Sequence, residues 1–136
     1  MSVSPTIALA DVQLDEGGGA AGSALTTITN TATIAPAADY LNVDGANTQL
    51  TGAITNTGTI TAGDDAFDVD GKSTLSGAIT NSGTIAAGND AFFVDDTSTI
   101  SGAITNSGTI TAGGSFFSVI DESTISGDII NSGTIT

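Results

Sequence analysis

Apolar and small polar residues alternate at strand period along this chain, and the alternation itself recurs. In LSGAITNSGTIAAGNDAFFVDDTST (75–99), Leu75, Ile79, Ile85, Phe92 and Val94 stand among Ser, Thr, Ala, Asn and Asp. The same set returns as Ile100, Ile104, Ile110, Phe117 and Val119, each 25 residues further on. A period of two turns one side-chain face inward and the other outward. Turn-forming Gly, Asn, Asp and Ser gather between the runs at TNSG, AGND and DDTS. Each repeat therefore reads as three short strands and three corners. Gly and β-branched residues recur throughout with no 3.6-residue period, which excludes a helical repeat.

Repeats of this length stack as near-identical units, each touching only its neighbours. The pattern predicts an all-β fold, a parallel β-solenoid of about five 25-residue, three-strand coils. The coils span 25–49, 50–74, 75–99 and 100–124, with a partial coil at 125–136. Residues 1–24 form a separate N-terminal segment, a partial coil followed by a Gly-rich corner. Stacking brings Asn30, Asn56, Asn81, Asn106 and Asn131 into one ladder, whose amides can bond the next rung and satisfy turn backbone. Gly58, Gly83, Gly108 and Gly133 follow two residues later, where the corner is expected to need positive φ.

The partial coil, ISGDIINSGTIT, lacks the FxV strand of the complete copies. TIALADVQLD (6–15) resembles the second half of a coil, with Ile7, Leu9, Val12 and Leu14 alternating before Asp15. These four residues, with Ile129 and Ile135, are the expected self-assembly contacts. An open sheet end is a site for strand addition. Heterologous stacking of copies gives a filament when it does not close on itself.

Composition narrows the partners. The 136 residues make one domain with a formal charge of −14, fifteen acidic residues against Lys72 alone. One lysine cannot neutralise a phosphate backbone, so nucleic acid and anionic membranes are excluded as partners. No segment has the apolar length of a membrane span. MSVSPTIALADVQLDEGGG has neither the charged n-region nor the apolar h-region of a secretory leader. With no Cys, His or Arg, nucleophile–base constellations cannot be assembled, and no enzymatic activity is expected. No cofactor is expected either, apart from Ca²⁺ at stacked carboxylates. Asp65 over Asp90 and Asp70 over Asp95 are the candidate ligands.

Two outward features remain. Thr33, Thr59, Thr84, Thr109 and Thr134 make one file; Ala35, Thr61, Ala86, Thr111 and Thr136 make a second beside it. Paired Thr files resemble the T-x-T face of β-solenoid antifreeze proteins, which implies ordering of ice-like water. Phe93, Phe116 and Ile120 are expected to group outside the core as a lateral contact.

The segments GAITNSGTI at 77–85 and 102–110 resemble the repeats of bacterial autotransporter passengers and related surface adhesins, over residues 25–136. That resemblance implies a parallel β-solenoid at a bacterial cell surface. The expected function is structural: an extracellular filament of copies stacked head to tail, serving adhesion, matrix or biofilm. The alternative is a monomeric surface adhesin or ice-binding module working through a lateral face.

Overall fold

The computed structural model describes residues 12–15 as backbone, and residues 27–46 and 48–136 in full. The chain winds as a parallel β-solenoid of about four turns, with no helix among the described residues. β1 (Val12–Asp15) precedes the first coil of β2 (Thr27–Asn30), β3 (Thr33–Ile34), β4 (Leu41–Asp44) and β5 (Gln49–Leu50). The second coil is β6 (Ala53–Asn56), β7 (Thr59–Ala62), β8 (Phe67–Val69) and β9 (Thr74–Leu75). The third is β10 (Ile79–Asn81), β11 (Thr84–Ala87), β12 (Phe92–Val94) and β13 (Thr99–Ile100). The fourth is β14 (Ile104–Asn106), β15 (Thr109–Ala112), β16 (Phe117–Val119) and β17 (Thr124–Ile125), and β18 (Ile129–Asn131) and β19 (Thr134–Ile135) follow.

Each coil thus carries four strands, one more than the hydrophobic pattern suggested. The fourth is a two-residue strand, Thr74–Leu75 or Thr99–Ile100, too short to register as an alternating run. Four parallel sheets run along the stack: β1-β4-β8-β12-β16, β2-β6-β10-β14-β18, β3-β7-β11-β15-β19 and β5-β9-β13-β17. Register is exact repeat on repeat, Ile79 over Ile54 and under Ile104, Phe92 over Phe67 and under Phe117. The first coil is 26 residues long where the others are 25, as Asn30–Asn56 and Asn56–Asn81 show.

Inside lies one aliphatic column per sheet and an aromatic column. Phe67 and Phe92 are fully buried and stack at 4.8 Å with their rings 8° apart. Tyr40 closes this column edge-on at 6.0 Å, and burial pushes its phenol up to about 12. The asparagine ladder forms as the spacing predicts. Asn30 Nδ2 donates to Asn56 Oδ1 at 2.8 Å, Asn56 to Asn81 at 2.7 Å, Asn81 to Asn106 and Asn106 to Asn131 at 2.8 Å. The same nitrogens reach corner carbonyls, Asn81 bonding Gly83 O at 3.3 Å and Thr109 O at 3.1 Å. Every amide in the ladder therefore donates towards the C-terminal end.

The glycines after the asparagines have a different cause from the one expected. Among the described residues the glycines with positive φ are Gly45 and Gly71, not Gly58, Gly83, Gly108 or Gly133. Those four are required by close approach: a Cβ on Gly83 would lie 2.0 Å from Gly58 O of the rung below. Left-handed backbone instead falls in the turns that lead to the short fourth strand. Gly71 and Lys72, Asp96 and Thr97, and Asp121 and Glu122 all have φ between 46 and 67°. Two consecutive positive φ values with Ser73 N bonded to Asp70 O at 3.2 Å make this a type I′ turn.

Candidate functional site at the ends of the stack

The two ends of the solenoid differ. At the N-terminal end the first coil is closed, with Ile28 4% and Ile34 6% exposed and Leu41 and Val43 fully buried. At the other end Val119, Ile120, Ile129 and Ile130 are 39%, 44%, 49% and 54% exposed. Ile129 holds the register position of Ile104, so its exposure is that of a core residue with no rung over it. Ile130 stands where earlier rungs carry Thr105, Thr80 and Thr55. Ile135 is half-buried against the core.

Two carboxylate files also lose their charge at this end. Along the first, Asp65 N donates to Asp39 Oδ1 at 3.0 Å, Asp90 N to Asp65 Oδ1 at 2.7 Å and Ser115 N to Asp90 Oδ1 at 2.6 Å. Each Asp caps the next rung, and the file stops at Ser115. Along the second, Asp15 and Asp44 are paired, Asp70 and Asp95 follow, and the fourth coil substitutes Ile120. The fourth coil therefore keeps two acidic residues, Asp121 and Glu122, against three in the third, while the final rung gains apolar Ile130 and also Asp128 in place of Ala103.

The expected assembly residues separate. Ile7 and Leu9 lie outside the described residues. Val12 and Leu14 belong to β1, which pairs in parallel with β4 of its own chain, Val12 with Leu41 and Leu14 with Val43. Among the described residues β1 is the edge strand of its sheet at one end and β16 the edge strand at the other.

The lateral patch is not assembled as expected. Phe116 turns over the core, 5.7 Å from Phe92 and 4.2 Å from Phe117 by ring centroids. Phe93 is paired with Asp68 and Ser118, a different file from Phe116, and Ile120 belongs to the acidic file just described. Alternation about inward Phe117 puts Phe116 outside, but Phe116 lies in the corner ahead of β16 (Phe117–Val119), where strand alternation does not apply.

The four candidate Ca²⁺ ligands are occupied by backbone. Asp65 and Asp90 cap the rungs above them, Asp70 Oδ1 accepts from Gly71 N, and Asp95 Oδ1 from Asp96 N at 2.6 Å. No group of three metal-ligating side chains occurs among the described residues.

Sequence reading passed over two features. Ser73, Ser98 and Ser123 form a ladder, buried at Ser73 and Ser98 and half-buried at Ser123, Ser73 N donating to Ser98 Oγ at 3.0 Å and Ser98 N to Ser123 Oγ at 3.1 Å. The recurring Ser-Thr before each Leu or Ile was the available signal. The second is Asp68, alone in its file between Asn42 and Phe93. Asn42 Nδ2 donates to its Oδ2 at 2.9 Å, while Oδ1 is buried without a partner. Desolvation, then the charges of Asp39, Asp70, Asp65 and Asp44, raises its carboxyl to about 7.

A carboxyl whose pKa is higher folded than unfolded binds an extra proton on folding, so its contribution is complete below about 4 and lost as pH rises through about 7. Thermal melts should show stability falling between pH 4 and pH 7. Asp68→Asn should melt higher than wild type at pH 8, and the two should converge in acid. Equal melting temperatures at pH 8 would refute the assignment.

No family model matches the chain, and neither a curated protein nor a solved structure matches it.

Proposed function

We propose that this protein is a structural subunit that associates with copies of itself through the ends of the solenoid, building a filament. The reading rests on the C-terminal rungs, where apolar residues at Ile120 and Ile130 replace the Asp and Thr of the repeats and stand exposed beside Val119 and Ile129. Unpaired strand edges with exposed apolar side chains take up another strand readily. Loss of the Asp files at Ser115 and Ile120 lowers the repulsion that a chain of charge −14 brings to the joint, where Asp121, Glu122 and Asp128 remain. The uniform direction of the asparagine ladder favours head-to-tail order, because two C-terminal ends face to face would oppose donor to donor. The resemblance of GAITNSGTI to adhesin repeats supports a bacterial surface or matrix location for such a fibre.

Sedimentation and negative-stain microscopy of the 136-residue protein over a concentration series test this. Long particles are expected. Ile120→Asp and Ile130→Thr restore the repeat's own residues at exposed positions, so the fold should persist while association weakens at least about tenfold. Monomers alone at high concentration would overturn the reading.

A second reading keeps one observation in its favour. Strand register aligns Thr33, Thr59, Thr84, Thr109 and Thr134 in a single file, and Thr111 Oγ1 lies 3.2 Å from Thr136 Oγ1 in the file beside it. Ala86 interrupts that second file. Thermal hysteresis from the monomer would favour an ice-binding face; its absence would leave the filament.

A further inference from the structure

The four sheets do not finish level, and in three of them the step at one end matches the step at the other; the fourth, β5-β9-β13-β17, stops at β17 and gains no strand ahead of β5 among the described residues. At the C-terminal end β18 and β19 extend two sheets one rung beyond the fourth coil, while the sheet holding the aromatic column stops at β16. That sheet is recessed there, with Val119 39% exposed on its edge. At the N-terminal end it is this same sheet that gains a strand, because β1 pairs with β4 ahead of the first coil. The winding order supports the match. In every coil the strand after β3, β7, β11 or β15 belongs to this sheet, and β1 belongs to it too.

Resting on the filament reading, we infer that β1 of one copy seats on β16 of the preceding copy, as a tab in a notch, in the register the internal rungs use. Val12 of the incoming copy then stands over Phe117, Gln13 over Ser118, Leu14 over Val119 and Asp15 over Ile120. This follows from the pairing of Val12–Asp15 with Leu41–Asp44 and its propagation through Phe67 and Phe92 to Phe117. The register sets Leu14 opposite Val119 and Asp15 opposite Ile120, where a fifth aspartate would otherwise continue the file. Parallel pairing supplies β16 with the backbone partners its free edge lacks.

The chain has no cysteine, so thiols can be placed at will. Gln13 and Ser118 end one file, Gln13, Asn42, Asp68, Phe93 and Ser118. Within a molecule they are four strand spacings apart, about 19 Å, far beyond the roughly 7 Å at which two cysteines can be bridged. Across the joint they are adjacent. A double variant, Gln13→Cys with Ser118→Cys, treated with dibromobimane under assembling conditions, should give a ladder of covalent multimers on denaturing gels. Each single variant should give none.

The outcomes separate. Particles without the covalent ladder would overturn this register and leave the filament standing. Dimers from Ser118→Cys alone would mean that C-terminal ends meet each other, overturning the head-to-tail register. No association of wild-type or variant protein would overturn both.

Discussion

Asn81→Ala is expected to cost about 3 kcal/mol or more of folding stability, read from urea denaturation. Asn81 is 1% exposed and stands mid-ladder, accepting from Asn56 Nδ2 at 2.7 Å and donating to Asn106 Oδ1 at 2.8 Å. Its nitrogen also meets Gly83 O at 3.3 Å and Thr109 O at 3.1 Å. Truncation removes these bonds and leaves Asn106 Oδ1 without its donor, while Asn56 Nδ2 keeps Gly58 O and Thr84 O. An unsatisfied buried group costs about 1–3 kcal/mol, and each further lost hydrogen bond about 1 kcal/mol. Asn131→Ala supplies the control. Asn131 is exposed and ends the ladder, so its loss should cost under about 1 kcal/mol. Equal costs at the two positions would show that the ladder is not what holds this corner.

Phe92→Ala should cost about 4 kcal/mol. The ring is fully buried and has neighbours on both sides, Phe67 at 4.8 Å and Phe117 at 5.2 Å, with Phe116 edge-on at 5.7 Å. Neighbouring rungs hold to their hydrogen-bonded register and cannot collapse to fill the void. Phe117→Ala removes the same ring from the half-buried fourth coil and should cost less. Hydrogen exchange should place the damage of Phe92→Ala in the third coil and its two neighbours, the second and fourth, first, because a linear stack transmits loss only to adjacent units. Uniform loss of protection over the whole chain would contradict that nearest-neighbour picture.

The solenoid and its ladders were legible because identical residues returned at a fixed interval. Asn81 and Ile85 needed no knowledge of the corners to be placed in register with Asn106 and Ile110. What escaped was decided by geometry between rungs. Gly83 looks from sequence like any turn glycine, and only the 2.0 Å approach of a hypothetical Cβ to Gly58 O separates crowding from left-handed backbone. The left-handed positions fell instead on Asp96, Thr97, Asp121 and Glu122, of which only the aspartates belong to a residue type enriched there. Phe116 was misplaced because its inward turn depends on where the corner before β16 ends. At the candidate site, the interruptions at Ser115 and Ile120 could be read from the sequence. So could their place beside the partial coil at 125–136; the exposure of Val119 and Ile120 could not.

The constancy of register has one more consequence. A tandem duplication of residues 75–99 would present the coil above and the coil below with the contacts they already make, Thr74 to Thr99 and Thr99 to Thr124 among them. Such a rod is a ruler with graduations of about 4.8 Å, its reach set by how many times the gene has copied one segment.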